Sequence, residues 1–261
     1  MAESKPAVVF VDASLVVVDK PSGMPSVPAR TSRDPPCVAR MLEDDYGTLE
    51  AVHRLDRDTS GLLVLARTIA ARTNLGRAFE SRAVRKRYEA IVHGLPPRDA
   101  GEIVLPLAPD PTAPPKQRVD PIAGRPARTR WRLLARGHVA GTGVSLPAPE
   151  TTLLALEPTT GRSHQLRVHL AWLGMPIVGD RLYGPGVPAA PRLLLHAARL
   201  ELPHPADGRR LVLTAARPFD LAPRPPSPPR HADGRGAHAA AHDRPSGGRV
   251  GSSADRFTCD Q

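Results

Sequence analysis

The chain has 261 residues, of which 41% are hydrophobic and only 3% aromatic, so it can bury one large core built mainly from Leu, Val and Ala. Its formal net charge of +10 favours polyanionic partners, nucleic acid before anionic membranes, while no apolar run approaches the roughly 18 residues of a spanning helix and no signal-peptide pattern is present. The cysteines, Cys37 and Cys259, are too far apart in sequence for a CxxC pair, which excludes a disulfide framework and a cysteine-based zinc site and predicts a cytoplasmic protein.

The first half of the chain is predicted to contain short strands and one helix. Ala7–Val11 and Leu15–Lys20 are rich in β-branched residues and are separated by three residues, which predicts a β-hairpin. Gly61–Ala66 is a continuous apolar run, typical of a buried strand. Apolar residues recur at helical spacing over Ile69–Arg82 and alternate with polar residues over Lys86–Gly94, so a helix and a further strand follow.

The second half is predicted to contain three strands and one helix. Ala127–Leu134, Thr151–Leu156 and Leu193–Leu202 have strand-like composition. Ser163–Leu173 carries leucines at i, i+4 and i+7, and Gly174 supplies a helix stop signal, so this segment is predicted to be a helix.

These elements alternate without βα regularity. This order predicts an α+β fold with a mixed, mostly antiparallel central sheet flanked by helices. Arg136–Pro149 is rich in Gly, Ala and Pro and is predicted to be a loop. The composition changes after residue 221, because residues 222–261 are rich in Pro, Gly and Arg and contain only Val250 and Phe257 as large apolar residues. We therefore predict a folded domain over residues 1–221 and a disordered tail over 222–261.

Asp56 is the first candidate for chemistry. It lies in the run His53–Gly61, read HRLDRDTSG, with Arg54 and Arg57 on either side and a predicted strand directly after it. Neighbouring cations favour the ionised form of a carboxyl group, and such a carboxylate can act as a nucleophile or a base. An aspartate before Thr-Ser-Gly is also a common turn cap, so the spacing alone leaves both interpretations open.

A second cluster, Gly161–His169, contains Arg, Ser, Gln and two His residues. The predicted helix places Ser163 and Arg167 on one face at i, i+4, while the leucines face the core. His164 and His169 are five residues apart and lie on different faces, which argues against a metal site. Hydrogen bonding near the helix start, and a surface position for Arg167, are the simpler alternatives.

Two segments are strongly basic. Residues 67–87 contain seven Arg or Lys residues and one acidic residue, Glu80. Residues 116–132 contain six Arg or Lys residues and one acidic residue, Asp120. Charged runs are usually solvated surface, but two with almost no acidic residues could converge to follow a phosphate backbone.

Five blocks of the sequence resemble the RluA-type RNA pseudouridine synthases, in family order across roughly residues 8–220. The match is specific because a lone HRLD would be weak, whereas five ordered blocks are not. The blocks are Asp19–Gly23 (DKPSG); His53–Ala66 (HRLDRDTSGLLVLA); Lys86–Tyr88 with Gly94; Gly161–Leu170 with Gly174–Gly184; and Leu195–Ala197 with His204 and Pro205.

The resemblance implies a function and a set of site residues. The enzyme would isomerise uridine to pseudouridine in RNA without a cofactor or a metal, as a monomer, and residues 1–221 would form the catalytic domain without an S4 RNA-binding domain. The target base must leave its stack to be reached. Asp56 would be the essential carboxylate, Tyr88 would lie against the flipped uracil, Arg167 would pair with Asp56, and Arg54 would enter the RNA stack. The remaining RNA-binding residues implied in this way are Lys86, Arg87, Lys116, Arg162, His164 and Gln165.

Within the family the chain is most similar to the small founding member, on the segments Ser26–Pro28, Pro115–Gln117 and Gly124–Thr129. That likeness implies tRNA and large-subunit ribosomal RNA as substrates, with uridine 32 of the anticodon loop and uridine 746 of 23S rRNA as targets. Alternatives are a different uridine, an inactive RNA-binding relative, and a hydrolase pairing His53 or His164 with Ser60 or Ser163. Ser60 lies outside a GxSxG elbow, so the hydrolase has little support.

Overall fold

A computed structural model of the protein describes residues 5–28, 36–139, 150–185 and 190–222, and the predicted tail from residue 223 onward lies outside them. These residues form thirteen strands and three helices. In chain order they are β1 (Ala7–Val11), β2 (Leu15–Lys20), α1 (Val38–Tyr46), β3 (Glu50–Ala51), β4 (Ser60–Ala66), α2 (Ile69–Glu80), β5 (Arg85–His93), β6 (Ala100–Val104), β7 (Leu107–Pro109), β8 (Gln117–Val119), β9 (Arg128–Val139), β10 (Thr151–Pro158), α3 (Gln165–Trp172), β11 (Leu195–Pro203), β12 (Arg210–Thr214) and β13 (Leu221–Ala222).

One large sheet carries the fold. Its main path is β1-β2-β4-β11-β5-β10-β9-β13, with β3 added to β4, β6 to β9 and β12 to β11, while β7 and β8 form a separate hairpin. The β4–β11 pair is parallel, and every other described strand pair is antiparallel. The predicted α+β class with a mixed, mostly antiparallel sheet is therefore confirmed.

Helices cover both faces of the sheet around β4. Leu62 and Val64 pack with α2 on one face, and Leu63 and Leu65 pack with α1 on the other. Because successive side chains of a strand point to opposite faces, a strand buried on both faces reads as the continuous apolar run seen in the sequence. Elsewhere on the sheet, α3 packs its leucines against β5 and β10, in the direction that the sequence predicted.

Gly61 permits the parallel contact that brings β4 beside β11. Its φ of +112° lies in a region that side chains rarely adopt, and a Cβ atom there would lie 2.5 Å from the backbone nitrogen of Ala197. Only glycine meets both requirements. The contact places the end of the Asp56 loop against the centre of the sheet.

Two sequence-based predictions were wrong in detail. The helix predicted from Ser163 begins at Gln165, because His164 adopts a left-handed φ of 53° and ends the preceding turn, so Ser163 does not share a helix face with Arg167. The loop predicted from Arg136 begins later, because pairing with β10 continues β9 to Gly137 and pairing with β13 continues it to Val139. The rest of that predicted loop, residues 140–149, lies outside the described residues.

Some elements of the structure were not predicted at all. Helix α1 and several short strands were missed. Ala222, the first residue of the predicted tail, is paired with β9 as part of β13. No helix in the described part of the chain has the length and apolarity needed to span a bilayer.

Candidate active site

Asp56 lies in the loop between β3 and β4. The backbone before it is held by buried Ser26, whose hydroxyl donates to the Leu55 carbonyl at 2.8 Å and accepts from the Leu55 N–H at 3.0 Å. The following turn closes through the Thr59 N–H and the backbone carbonyl of Asp56, at 3.1 Å. The Asp56 carboxylate is therefore not the cap of this turn, and it points instead toward Arg167 with 23% of its side chain exposed.

A buried lysine ties the Asp56 loop to the segment after β2. The ammonium of Lys20 donates to the carbonyls of Pro21, Met24 and Arg57 at 2.8–2.9 Å. Burial lowers the pKa of Lys20 to about 7, and the negative charge of nearby aspartates, including Asp56, acts in the opposite direction. All three donors are used in holding the backbone, so Lys20 fixes the loop without contacting the cleft.

Arg167 is buried between two carboxylates. It makes a bidentate pair with Asp180, Nε to Oδ2 at 2.8 Å and Nη2 to Oδ1 at 2.7 Å, and its Nη1 lies 3.6 Å from Oδ2 of Asp56. Burial would raise the pKa of Asp180, but its hydrogen bonds and ion pair with Arg167 hold that pKa below its usual value. Asp180 therefore fixes the guanidinium with one amine left to face Asp56.

Asp180 is the site residue that sequence reasoning missed. It lies in Gly174–Gly184, one of the segments that resemble the family, but nothing in the spacing connects it with Arg167, 13 residues earlier. Its Oδ1 also accepts from the backbone N–H groups of Leu182 and Tyr183, at 2.9 and 3.1 Å. An aspartate that accepts hydrogen bonds within its own turn already has a local role, so the sequence gives no sign that it also pairs with Arg167.

Tyr88 lies on β5 and contacts the cores on both sides of the site. Burial raises the pKa of its hydroxyl, and the negative charge of Asp56 adds to the effect. Tyr88 therefore keeps its proton at every physiological pH, which leaves it a neutral ring with an intact O–H donor.

The candidate residues surround one cleft of about 1070 Å³. Of the ten that the sequence proposed, nine line it: Arg54, Asp56, Lys86, Arg87, Tyr88, Arg162, His164, Gln165 and Arg167. Lys116 does not, because it lies at the turn between β7 and β8. The lining also includes four basic residues that were not singled out: Arg82, Arg85, Arg130 and Arg199.

Several of these side chains are already engaged within the protein. Arg87 lies 3.4 Å from Glu89, and the alternation of β5 sends both to the face opposite Tyr88. Gln165 uses its amide to donate to Arg128 and Thr129 and accepts from the backbone of Arg162.

His164 is joined to the β7–β8 hairpin through Tyr183. The Tyr183 hydroxyl accepts from the Gln117 backbone N–H at 2.7 Å and lies 2.7 Å from Nδ1 of His164. The guanidinium of Arg167 lies over the Tyr183 ring, 5.2 Å from its centroid. One tyrosine therefore contacts the hairpin, His164 and the arginine that faces Asp56.

The hydrolase alternative has no geometric support. Ser60 does contact a histidine, with its hydroxyl 2.8 Å from Nδ1 of His196, but Ser60 is 2% exposed and His196 is fully buried, so no substrate reaches the pair. His53 and His164 are engaged elsewhere. Among the described residues, no group of three His, Cys, Asp or Glu side chains could hold a metal ion.

We expect His53 to make the free energy of unfolding depend on pH. Burial lowers its pKa from 6.5 to about 3, and the charge of Lys86 adds to this. As pH falls through 6.5, His53 becomes protonated in the unfolded chain but stays neutral in the folded protein. The free energy of unfolding therefore falls between pH 6.5 and about 3. Replacing His53 by Gln should remove up to roughly 2–3 kcal/mol of the loss seen by about pH 4.5. Urea unfolding at several pH values measures this, and an identical pH dependence in the variant would contradict it.

Comparisons with known proteins identify the family and the fold. Residues 14–172 match the family model described as RNA pseudouridylate synthase. The chain is 42% identical over 214 residues to the dual-specificity RNA pseudouridine synthase RluA of Escherichia coli K12, and 39% identical over 214 residues to that of Haemophilus influenzae, covering 81% of this chain and 93% of each relative.

Solved structures with the same fold include two human proteins. RNA pseudouridylate synthase domain containing 1 superimposes with a TM-score of 0.70 at 26% identity, covering 87% of this chain and 94% of the human chain. RNA pseudouridylate synthase domain containing 4 has a TM-score of 0.61 at 27% identity, covering 81% and 88%.

Proposed function

The chain belongs to the RluA-type RNA pseudouridine synthases, which confirms the resemblance found in the sequence, and we propose that the uridines it isomerises to pseudouridine lie in both tRNA and large-subunit ribosomal RNA. The proposed targets are uridine 32 of the tRNA anticodon loop and uridine 746 of 23S rRNA. Support comes from the bacterial relatives, whose names state dual specificity. We further propose that residues 1–221 form the catalytic domain and that it acts as a monomer in the cytoplasm.

One observation carries the mechanistic proposal: an accessible carboxylate, Asp56, faces a fixed guanidinium at 3.6 Å in a cleft large enough for a nucleotide. Isomerisation breaks the bond between N1 of uracil and C1′, turns the base and joins C5 to C1′; the proton leaves C5 and N1 takes one up, so the composition is unchanged. Asp56 acts either by attacking C1′ or by removing a proton from C2′. Arg167 holds it in position in both routes.

Tyr88 and the basic residues serve the RNA in this proposal. The Tyr88 ring stacks on the flipped uracil, and its O–H is placed to assist loss of the C5 proton. Exposed Arg54 fills the space that the uridine leaves in the stack. Arg162, His164 and Lys86 contact the strand in the cleft, with Arg87 and Lys116 as outer contacts, and Gln165 serves the RNA indirectly by holding the backbone of Arg162. These contacts offset the cost of unstacking the target base.

Assay of the purified protein tests the proposed substrates. We expect tritium release from C5-labelled uridine in an anticodon stem-loop and in a ribosomal RNA fragment. Affinity should fall with salt, with a slope of about −3 in log K against log salt if about four phosphates are neutralised. The same RNA with the target uridine replaced by cytidine should bind equally and release no tritium. A flat salt response, or no release from either RNA, would contradict the proposal.

A further inference from the structure

His53 presents an unused donor to the cleft. Its Nε2 accepts a hydrogen bond from the backbone N–H of Val64 at 3.0 Å, and a backbone amide can only donate. Nε2 therefore carries no proton, and the neutral ring carries its proton on Nδ1. The ring is held in place by stacking on Phe79, with centroids 4.7 Å apart. In the described part of the chain, no acceptor contacts the Nδ1–H, and His53 lines the cleft.

Lys86 presents a second donor to the same space. It lies on the same face of β5 as Tyr88, two residues away, and lines the cleft. Its ammonium has no carboxylate partner among the residues that the structure describes, and burial lowers its pKa. A Cβ atom added at Gly161 would lie 3.7 Å from Nζ, so the absence of a side chain at this glycine leaves space beside the ammonium.

Both donors line the same cleft, and the sheet brings them near one another, because Val64, which holds His53, and Leu200, which pairs with Lys86, lie on adjacent strands and pack in one core cluster. One donor is neutral and directional, and the other is a point charge. An acceptor that satisfies both must offer more than one oxygen and carry negative charge, which describes a phosphate better than a base carbonyl.

We propose that His53 Nδ1–H and Lys86 Nζ together form a binding site for a single phosphate of the RNA strand, on the nucleotide next to the flipped uridine. The neighbouring position of Lys86 and Tyr88 on β5 sets that distance, since Tyr88 lies against the uracil. The inference rests on the proposed function and assigns a role to His53 that neither its sequence block nor its stacking contact indicates.

The test replaces phosphates one at a time. Binding is measured in the Asp56→Asn background, where no turnover disturbs equilibrium, to anticodon stem-loops that each carry one uncharged methylphosphonate linkage. The proteins compared are the background alone and the background with Lys86→Gln, His53→Phe or His53→Gln. His53→Phe retains the ring and removes both nitrogens, whereas His53→Gln offers an acceptor to Val64 and a donor to the cleft. Arg132→Gln, at an exposed arginine outside the cleft lining, is the matched control for loss of charge.

We expect that methylphosphonate at one linkage beside the target uridine lowers the RNA affinity of the background protein about tenfold, which corresponds to one hydrogen bond to a charged group. At the same linkage it should lower the affinity of the Lys86→Gln and His53→Phe proteins less than about twofold. His53→Gln and Arg132→Gln should respond to that linkage as the background does. Equal losses in the background and Lys86→Gln proteins at every linkage would overturn the site. So would different linkages for His53 and Lys86.

Failure of the proposed function gives a different result. In that case the unsubstituted protein forms no pseudouridine in the stem-loop, whatever the linkage series shows. His53→Phe leaves the Val64 N–H unpaired, so its folding is followed by urea unfolding. If it does not fold, the contribution of His53 is measured with His53→Leu and His53→Gln, at the linkage where Lys86→Gln loses its response. We expect the affinity of His53→Leu to be insensitive to methylphosphonate there and the affinity of His53→Gln to remain sensitive.

Discussion

Replacement of Asp56 by asparagine is expected to lower pseudouridine formation by at least about 10⁴-fold, the loss typical of removing a nucleophile or base that acts directly on the substrate. The amide has nearly the size of the carboxylate, so the loop held by Ser26 and Lys20 should keep its conformation. An amide can neither attack C1′ nor accept a proton from C2′, so both routes stop. Affinity for RNA should be unchanged or slightly higher, because a negative charge leaves the cleft.

Tritium release and filter binding on the same RNA measure the two quantities separately. Asp58→Asn is the matched control, because Asp58 is an exposed carboxylate of the same loop outside the cleft lining. Its activity should stay within about threefold of the parent, the range of ordinary surface substitutions. Unchanged tritium release in Asp56→Asn would remove Asp56 from the chemistry altogether.

The sequence allowed much of the fold to be predicted where periodicity is strong. Leu15–Lys20 and the strand from Gly61 were found because burial on both faces of a sheet produces continuous apolar runs. Helix α1 was missed because only Val38 and Leu42 of its nine residues are buried and its N-terminus has no side-chain cap. A short helix with two core contacts gives too little periodicity to detect.

The site could be predicted only in part, for a related reason. Asp56 was found by its run of neighbours, but its relation to Arg167 depends on the fold bringing the loop before β4 beside α3. Asp180 depends on the same three-dimensional contact and has no sequence signal pointing to Arg167. The engagement of Arg87 by Glu89, on the face of β5 opposite Tyr88, follows from the alternation of that strand, which the residues around it do not specify. Local pattern indicates which residues are polar, whereas long-range packing decides what they face.

Replacement of Asp180 should lower both the stability of the protein and its activity. In Asp180→Asn the Arg167 guanidinium, whose side chain is 4% exposed, keeps its charge in a buried position with its main partner neutralised. Removing one member of a buried ion pair typically costs about 3–5 kcal/mol. The freed guanidinium is also no longer held with Nη1 toward Asp56, so we expect activity to fall by about 10²-fold, as for a misplaced catalytic contact. Urea unfolding and tritium release measure the two effects.

Two further variants separate packing from positioning. The double variant Asp180→Asn with Arg167→Met removes the buried charge and keeps an Oδ1 acceptor for the Leu182 and Tyr183 N–H groups, so it should recover most of the stability. It should recover no activity, since Asp56 then has no guanidinium beside it. Asp207→Asn, in an exposed ion pair with Arg209, should change stability by less than about 1 kcal/mol. If Asp180→Asn alone kept its stability and its rate, Arg167 would be held by its stacking on Tyr183, and the carboxylate that the sequence did not reveal would be dispensable.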